Sequence, residues 1–185
     1  ITGGRGFLGS ALTQALASVD CRLILIDKSP YDVWHPSSDR AAIDYRQVDL
    51  SRLTSWEEHL ADIDVVFHLA AKEHEYGGDN DPVVDLRVNG LPMLRLMETC
   101  RAINLRPRIV FASSANLFGH VEALPVHEGT PSSPLTPWAI HKIMSEQYLQ
   151  LYSRTLNLQS AALRLANVYG PVPRDDVLTR MVINK

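Results

Sequence analysis

Three glycines open this chain at a spacing suited to holding a phosphate. The first nine residues read Ile1-Thr2-Gly3-Gly4-Arg5-Gly6-Phe7-Leu8-Gly9, and Ser10-Ala11-Leu12 starts a helical pattern directly behind them. Gly3 permits a sharp turn at a strand end. Gly6 removes a side chain where a diphosphate would approach the main chain, and Gly9 lets the new helix pack closely on the strand. The first amides of that helix, from Phe7 and Leu8 onward, point toward such a ligand, and the helix dipole favours negative charge there. The spacing is G-x-x-G-x-x-G rather than the standard G-x-G-x-x-G, so taken alone the glycines are equally those of a surface turn. Asp27 separates the two readings. It stands eighteen residues past Gly9, at the end of the next apolar run. A carboxylate placed there accepts the hydroxyls of an adenosine ribose and repels a 2′-phosphate, which favours NAD over NADP. Lys28, next to it, weakens that preference slightly.

The elements that must position these groups follow from apolar runs alternating with helical patterns, the mark of βαβ units and a parallel sheet. A first strand enters at Ile1-Thr2. Helix is expected over Ser10–Val19, with Leu12, Ala15, Leu16 and Val19 on one face. Strands are expected at Arg22–Ile26, Tyr45–Val48, Val65–Leu69, Arg108–Ala112 and Ser160–Leu165. Leu53–Ala61 reads as a short helix, and Asp81–Ile103 as a long one capped by Asp81 and Pro82. Trp138–Leu156 reads as a second long helix. Lys28–Arg40, Lys72–Asn80 and Ser113–Pro137 read as loops. The fold class is therefore α/β, a Rossmann-like doubly wound sheet over residues 1–170, with 171–185 as the beginning of a further region.

Composition is that of an ordinary α/β domain: 185 residues, 45% hydrophobic, 21% charged, net charge −3. It gives no footing for nucleic acid or a membrane surface. No apolar run reaches the roughly 18 residues of a bilayer span. Cys21 and Cys100 form no metal pattern and read as reduced thiols of a cytoplasmic protein.

In order and spacing, the chain resembles the extended short-chain dehydrogenase/reductase family, in its NAD-dependent epimerase/dehydratase group. Thr2 to Gly9 resembles the nucleotide loop of that family. Asp49-Leu50 is similar to its adenine-contacting pair, and His68-Leu69-Ala70-Ala71 to the segment that lines the cofactor. Val88-Asn89-Gly90 resembles the helix segment whose Asn steadies the site. Ser113-Ser114-Ala115-Asn116-Leu117-Phe118-Gly119 resembles the motif carrying the catalytic Ser or Thr, here Ser114. Arg164 to Pro171 resembles the segment leading into the substrate domain, with Asn167 toward the substrate diphosphate. Each match has a plain alternative. Asp49 caps the following helix, Asn89 packs, Ser114 bonds its own loop, and His68 is a satisfied histidine at a strand end.

The resemblance implies a Tyr four residues before a Lys on one helix, a spacing that sets both on one face. The Lys is Lys142, but the Tyr position holds Trp138. An indole N–H only donates and has no accessible deprotonated form. Losing a positioned acid–base group costs on the order of 10²–10⁴ in rate. His141, three residues after Trp138, is the one substitute base nearby. Related sugar dehydratases carry an Asp-Glu pair after the catalytic Ser or Thr, where this chain has Ala115 and Asn116. The resemblance therefore implies 4-epimerisation or oxidation of a nucleotide sugar with NAD, at impaired turnover. The second reading is a non-catalytic NAD-binding or regulatory protein, and a third is a Rossmann-like domain with another ligand. The two long helices carry apolar residues on wide faces, including Leu91, Leu94, Met97, Ile143, Leu149 and Tyr152; these face the chain's own core or, as the resemblance implies, pair across a two-fold axis into a homodimer.

Overall fold

The computed structural model describes residues 1–30, 38–72, 81–121 and 123–170. In chain order its elements are α1 (Phe7–Leu16), β1 (Arg22–Asp27), β2 (Ala42–Gln47), α2 (Glu57–Leu60), β3 (Val65–His68), α3 (Pro82–Asp85), a π-helical segment (Leu86–Gly90), α4 (Leu91–Ala102), β4 (Arg108–Ser114), a 3₁₀ turn (Ala115–Phe118), α5 (Pro137–Leu156) and β5 (Ser160–Leu165). The expected loop at 72–80 and the region from 171 lie almost wholly outside the described residues, as do residues 31–37 of the loop after β1.

All strand pairings are parallel. β1 pairs with β2, β3 with β4, and β4 with β5. Thr2 joins the two halves, bridging Ile26 of β1 on one side and His68 of β3 on the other. The Ile1 nitrogen donates to the Ile24 carbonyl at 2.7 Å, and the Thr2 N–H donates to the Phe67 carbonyl at 2.9 Å. Strand order thus runs β2, β1, Thr2, β3, β4, β5, and the chain leaves the centre in both directions. In open parallel sheets, ligands bind beyond the strand ends at this point of reversal.

Both faces of β1 are covered, which explains its unbroken apolar run. Ile24 and Ile26 enter one core with Trp56, Leu60, Val66, Met93, Leu96, Met97, Ile109, Phe111 and Leu149. Leu23 and Leu25 enter a second, smaller core with Ala41 and the partly buried Ile1 and Leu16. The period-2 alternation of a strand sorts neighbouring side chains between them.

Four elements depart from expectation, and β2 is the first: it spans Ala42–Gln47 where Tyr45–Val48 was expected. α1 starts at Phe7, and its buried residues are Gly9, Ser10 and Thr13, while Val19 is exposed. The hydroxyls of Ser10 and Thr13 donate to the carbonyls of Gly6 and Gly9 one turn back (2.5 and 2.7 Å), so small polar residues can be buried on this face. A Cβ on Gly9 would stand 2.0 Å from the Gly3 carbonyl oxygen, and this is the contact that draws the helix onto the turn. The helix expected over 53–61 shrinks to α2, although Trp56 and Leu60 are both buried as their spacing implied. The long helix over 81–103 is interrupted by the π-helical segment, which carries Asn89. Its start is as expected: Asp81 Oδ1 accepts the Val83 N–H at 2.8 Å, and Pro82 occupies the first turn.

Candidate active site

The glycine turn lies where the sheet reverses. Gly3 has φ +63°, and a Cβ there would stand 2.9 Å from the backbone of Ala70, so the exit of β3 runs directly against it. Gly6 precedes α1 with no side-chain cap. A Cβ on it would meet only the Gly3 oxygen at 3.2 Å, and the residue is exposed. The space a side chain would take at the helix start is therefore open, with the first-turn amides of Phe7, Leu8 and Gly9 lacking intrahelical acceptors. A dinucleotide diphosphate fits this arrangement.

Asp27 is at the same turn. Its Oδ2 accepts the backbone N–H of Arg5 at 3.1 Å, and its Oδ1 accepts that of Ser29 at 3.0 Å. The buried Arg5 guanidinium lies 5.2 Å from the Tyr45 ring centroid, so β2 also contributes to this corner. Asp49 does not cap a helix, because α2 starts eight residues later. Its Oδ1 accepts both the N–H (3.0 Å) and the hydroxyl (2.7 Å) of Ser51, and these bonds hold the carboxyl below its ordinary range. Leu50 behind it is buried in the larger core.

Thr2 ties the turn to the segment after β3. Its Oγ1 accepts the N–H groups of Leu69 and Ala70, both at 3.1 Å, and lies 3.0 Å from His68 Nδ1. With two N–H donors on the oxygen, the hydroxyl proton goes to Nδ1, which assigns the His68 proton to Nε2. His68 is buried between Trp56 and Phe111, and burial keeps its ring neutral. Ala71 is exposed just beyond. Asn89 clamps the same strand exit one residue further on: Oδ1 accepts the Lys72 N–H at 2.9 Å and Nδ2 donates to its carbonyl at 3.0 Å.

The other side of the candidate site, with Ser114, Trp138 and Lys142, is carried by β4 and α5. Thr136 caps α5 through the Ala139 N–H (3.1 Å), with Pro137 in the first turn, which fixes where Trp138 and Lys142 stand. Lys142 is buried, and its Nζ donates to the Ala112 carbonyl at 2.7 Å. The ammonium lies 4.7 Å from the Phe111 ring centroid and 5.4 Å from that of Trp138. The i, i+4 spacing does bring Trp138 and Lys142 together. Ser114 ends β4 two residues past Ala112, and its Oγ accepts the Asn116 N–H at 3.1 Å. Trp138 Nε1 is buried with no hydrogen-bond partner among the described residues.

His141 is turned to a different neighbour. Its Nδ1 lies 2.5 Å from Asp85 Oδ1, with both residues buried, so it is engaged with α3. Asn167 is exposed beyond β5, in a segment whose Gly170 passes Phe7.

Sequence reasoning named Thr2 and Arg164 only as members of motifs, and gave no role to them or to Asp85 and Glu146. Glu146 Oε1 accepts the Ser113 hydroxyl at 2.5 Å, and Arg164 holds both its oxygens, Nη2 to Oε2 at 2.8 Å. The signal for Glu146 was its place one turn after Lys142; for Thr2, a hydroxyl where a central strand normally carries an apolar side chain. An open depression of about 400 Å³ between Asp64, Arg106, Arg108 and Gln159 lies at the opposite, amino-terminal ends of β3 and β4, where Arg108 is bonded to Gln159 at 2.6 Å. It shares no residue with the groups above. No helix is long and apolar enough to cross a membrane, and no group of three or more metal-ligating side chains occurs, both among the described residues.

Comparison with known proteins gives the family and agrees with the fold. The chain belongs to the NAD dependent epimerase/dehydratase family, whose description matches residues 1–185. It is 29% identical over 178 residues to a UDP-glucose 4-epimerase of Mycolicibacterium smegmatis, covering 92% of this chain and 56% of that protein. The Thermus thermophilus UDP-glucose 4-epimerase, solved with NAD, superposes with a TM-score of 0.78 at 31% identity, covering 92% of this chain and 55% of that one. MoeE5, solved with UDP-glucuronic acid and NAD, gives 0.80 at 30% identity, covering 96% and 57%. The chain thus spans about half the length of the relatives it matches.

His68 gives a pH signature. Burial, with Lys142 nearby, lowers its pKa from 6.5 to about 3. Between these values the unfolded chain binds the proton that the folded chain refuses. Stability from this group is complete above 6.5 and falls as pH drops toward 3, by up to about 1.4 kcal/mol per pH unit. Urea midpoints across this window should fall less steeply for His68→Gln than for the unaltered protein; equal slopes would contradict the assignment.

Proposed function

We propose that this chain binds NAD and acts on a nucleotide-linked sugar, in 4-epimerisation or simple oxidation, with turnover held down by Trp138. The observation that carries this reading is the seat of Lys142, buried at the end of β4 on the Ala112 carbonyl, with Trp138 one turn before it. In this reading the first-turn amides of α1, with Gly3, Gly6, Phe7, Leu8 and Gly9, take the diphosphate. Asp27 takes the adenosine ribose, and Asp49, Leu50, Leu69, Ala70 and Ala71 line the adenine and nicotinamide sides, with Asn89 holding the strand exit. Ser114 and Asn167 meet the sugar and its diphosphate. NAD, when bound, supplies a hydride acceptor. Lys142 orients the nicotinamide ribose by donating hydrogen bonds, and Ser114 donates to the sugar oxygen. Proton transfer at that oxygen lacks its usual agent, because an indole N–H only donates. Ala115 and Asn116 offer no carboxylate pair after Ser114, which disfavours dehydration.

The relatives support the substrate class: the M. smegmatis and T. thermophilus proteins are named UDP-glucose 4-epimerases. Trp138 itself favours the second reading, a non-catalytic NAD-binding protein retaining the fold. One experiment separates them. Trp138→Tyr should raise turnover of UDP-glucose by about 10²-fold or more, followed as NADH absorbance or coupled UDP-galactose formation. Turnover in the unaltered protein equal to that of the Tyr variant would contradict impairment, and no turnover in either would favour the non-catalytic reading.

We further propose a homodimer. Met97 and Leu149 face the chain's own core, but Val83 on α3 and Ile140 and Leu151 on α5 are 61%, 51% and 53% exposed. Ile140 and Leu151 are three turns apart on one helix face. Light scattering at micromolar concentration should give twice the chain mass; a monomer there would contradict the assignment. A cytoplasmic location is likewise proposed, supported by the two free cysteines.

A further inference from the structure

We propose that Arg164 is the positioning residue for the sugar half of this site: it fixes the strand end that carries Ser114 and the loop between Phe118 and Pro137, against which a nucleotide-linked sugar rests. The proposal rests on the nucleotide-sugar reading given above and deepens it by naming the group that orders the sugar side.

One guanidinium gathers three segments near the carboxyl ends of β4 and β5. Its Nη2 and Nε donate to the two carboxylate oxygens of Glu146 on α5, at 2.8 and 3.2 Å. Its Nη1 donates to the backbone carbonyl of Glu128 in the loop, at 3.2 Å. Its carbon lies 5.0 Å from the ring centroid of Phe118, in the 3₁₀ turn that follows Ser114. Glu146 Oε1 accepts the Ser113 hydroxyl at 2.5 Å. The chain is thus held just before Ser114 through Glu146 and just after it through Phe118.

The loop hangs from the same side chain. Its base is closed by the Ser133 N–H on the Leu117 carbonyl at 3.0 Å. A Cβ on Gly119 would stand 1.8 Å from the Ser133 carbonyl oxygen, so the two limbs touch there. The turn at 127–130 satisfies its own donors: the Thr130 N–H meets the His127 carbonyl at 2.9 Å, and the Gly129 N–H meets His127 Nδ1 at 3.1 Å. The Glu128 carbonyl is the group this turn hands to Arg164. The loop leaves the carboxyl end of β4 and returns at the first turn of α5, the end of a parallel sheet at which ligands bind.

Only arginine chemistry makes all these contacts at once. A planar fork bonds a carboxylate twice, reaches a carbonyl in a third direction and stacks on a ring, whereas an ammonium is a point charge. With 26% of its side chain exposed, Arg164 gains little as a bare ion pair. The dinucleotide corner is held by separate bonds, those of Asp27 to Arg5 and Ser29 and of Thr2 to Leu69 and Ala70. Loosening Arg164 should therefore act on the sugar and spare the cofactor.

Arg164→Lys keeps the charge and removes the fork. NAD is titrated into the unaltered protein and the variant by calorimetry, then UDP and UDP-glucose into each NAD complex. NAD and UDP affinities should stay within about twofold, while UDP-glucose binds about tenfold more weakly to the variant, the scale of one or two hydrogen bonds. A purely structural role would weaken all three together or none, and either result would overturn the proposal. A second measurement needs no variant. A Glu-specific protease cuts after Glu128, at the carbonyl that Arg164 holds. In the unaltered NAD complex UDP-glucose should slow this cut about tenfold and UDP should not. Equal protection by both, or by neither, would overturn the proposal while heat from UDP-glucose leaves the nucleotide-sugar reading intact. No heat from UDP-glucose in the unaltered protein would overturn that reading and this proposal with it.

Discussion

One hydroxyl holds this structure's two halves in register. Thr2 Oγ1 accepts from Leu69 and Ala70 and gives its proton to His68, while its backbone bridges Ile26 and His68. Three segments distant in sequence are thereby fixed at the point where the sheet reverses. Gly3 completes the arrangement, since only a residue without Cβ lets Ala70 approach so closely. In a buried site each of these bonds counts for more than its net value in water, because a donor left without its acceptor bears the full desolvation cost, about 1–3 kcal/mol. The glycine turn, the Asp27 carboxylate and the strand exit therefore form one corner.

The second half of the site depends on the first through α5. Lys142 reaches β4, where its ammonium donates to the Ala112 carbonyl and lies over the aromatic faces of Phe111 and Trp138. One turn later Glu146 ties Ser113 of β4 to Arg164 of β5. On its other side, His141 and Ser145 face the α3–π segment. His141 bonds Asp85, and the Ser145 hydroxyl donates to the His141 carbonyl at 2.8 Å with the Asn89 carbonyl 3.5 Å away. Asn89 in turn clamps Lys72. A single helix thus registers the strand ends against the segment that closes over them, and tolerates a Trp at its first turn without losing the Lys seat.

The frame of the fold was legible because it follows from periodicity. Apolar runs marked β1, β3 and β4, and β5 spans the expected Ser160–Leu165. Capping chemistry marked Asp81-Pro82. What escaped was set by tertiary contact. The π-helical interruption at Leu86–Gly90 leaves no pattern in a run of helix-compatible residues. The buried face of α1 is made of Gly9, Ser10 and Thr13, which hydropathy reads as surface. At the site, Gly6, Asp27 and Lys142 stood out by type and spacing. Thr2, Asp85 and Glu146 did not, because their roles are fixed by partners 66, 56 and 33 residues away. His141, whose chemistry suggested a base, is held through its Nδ1 by Asp85, a partner the spacing did not show.

The central claim is that the corner made by the glycine turn and Asp27 holds a dinucleotide. Calorimetric titration of NAD into the unaltered protein and into Asp27→Ala tests it most directly. The account predicts saturable heat with one site per chain in the first, and affinity weakened about tenfold or more in the second, the loss expected when charge-assisted bonds to a ribose are removed. Absence of heat in the unaltered protein at millimolar NAD, or equal affinity in both, would contradict it.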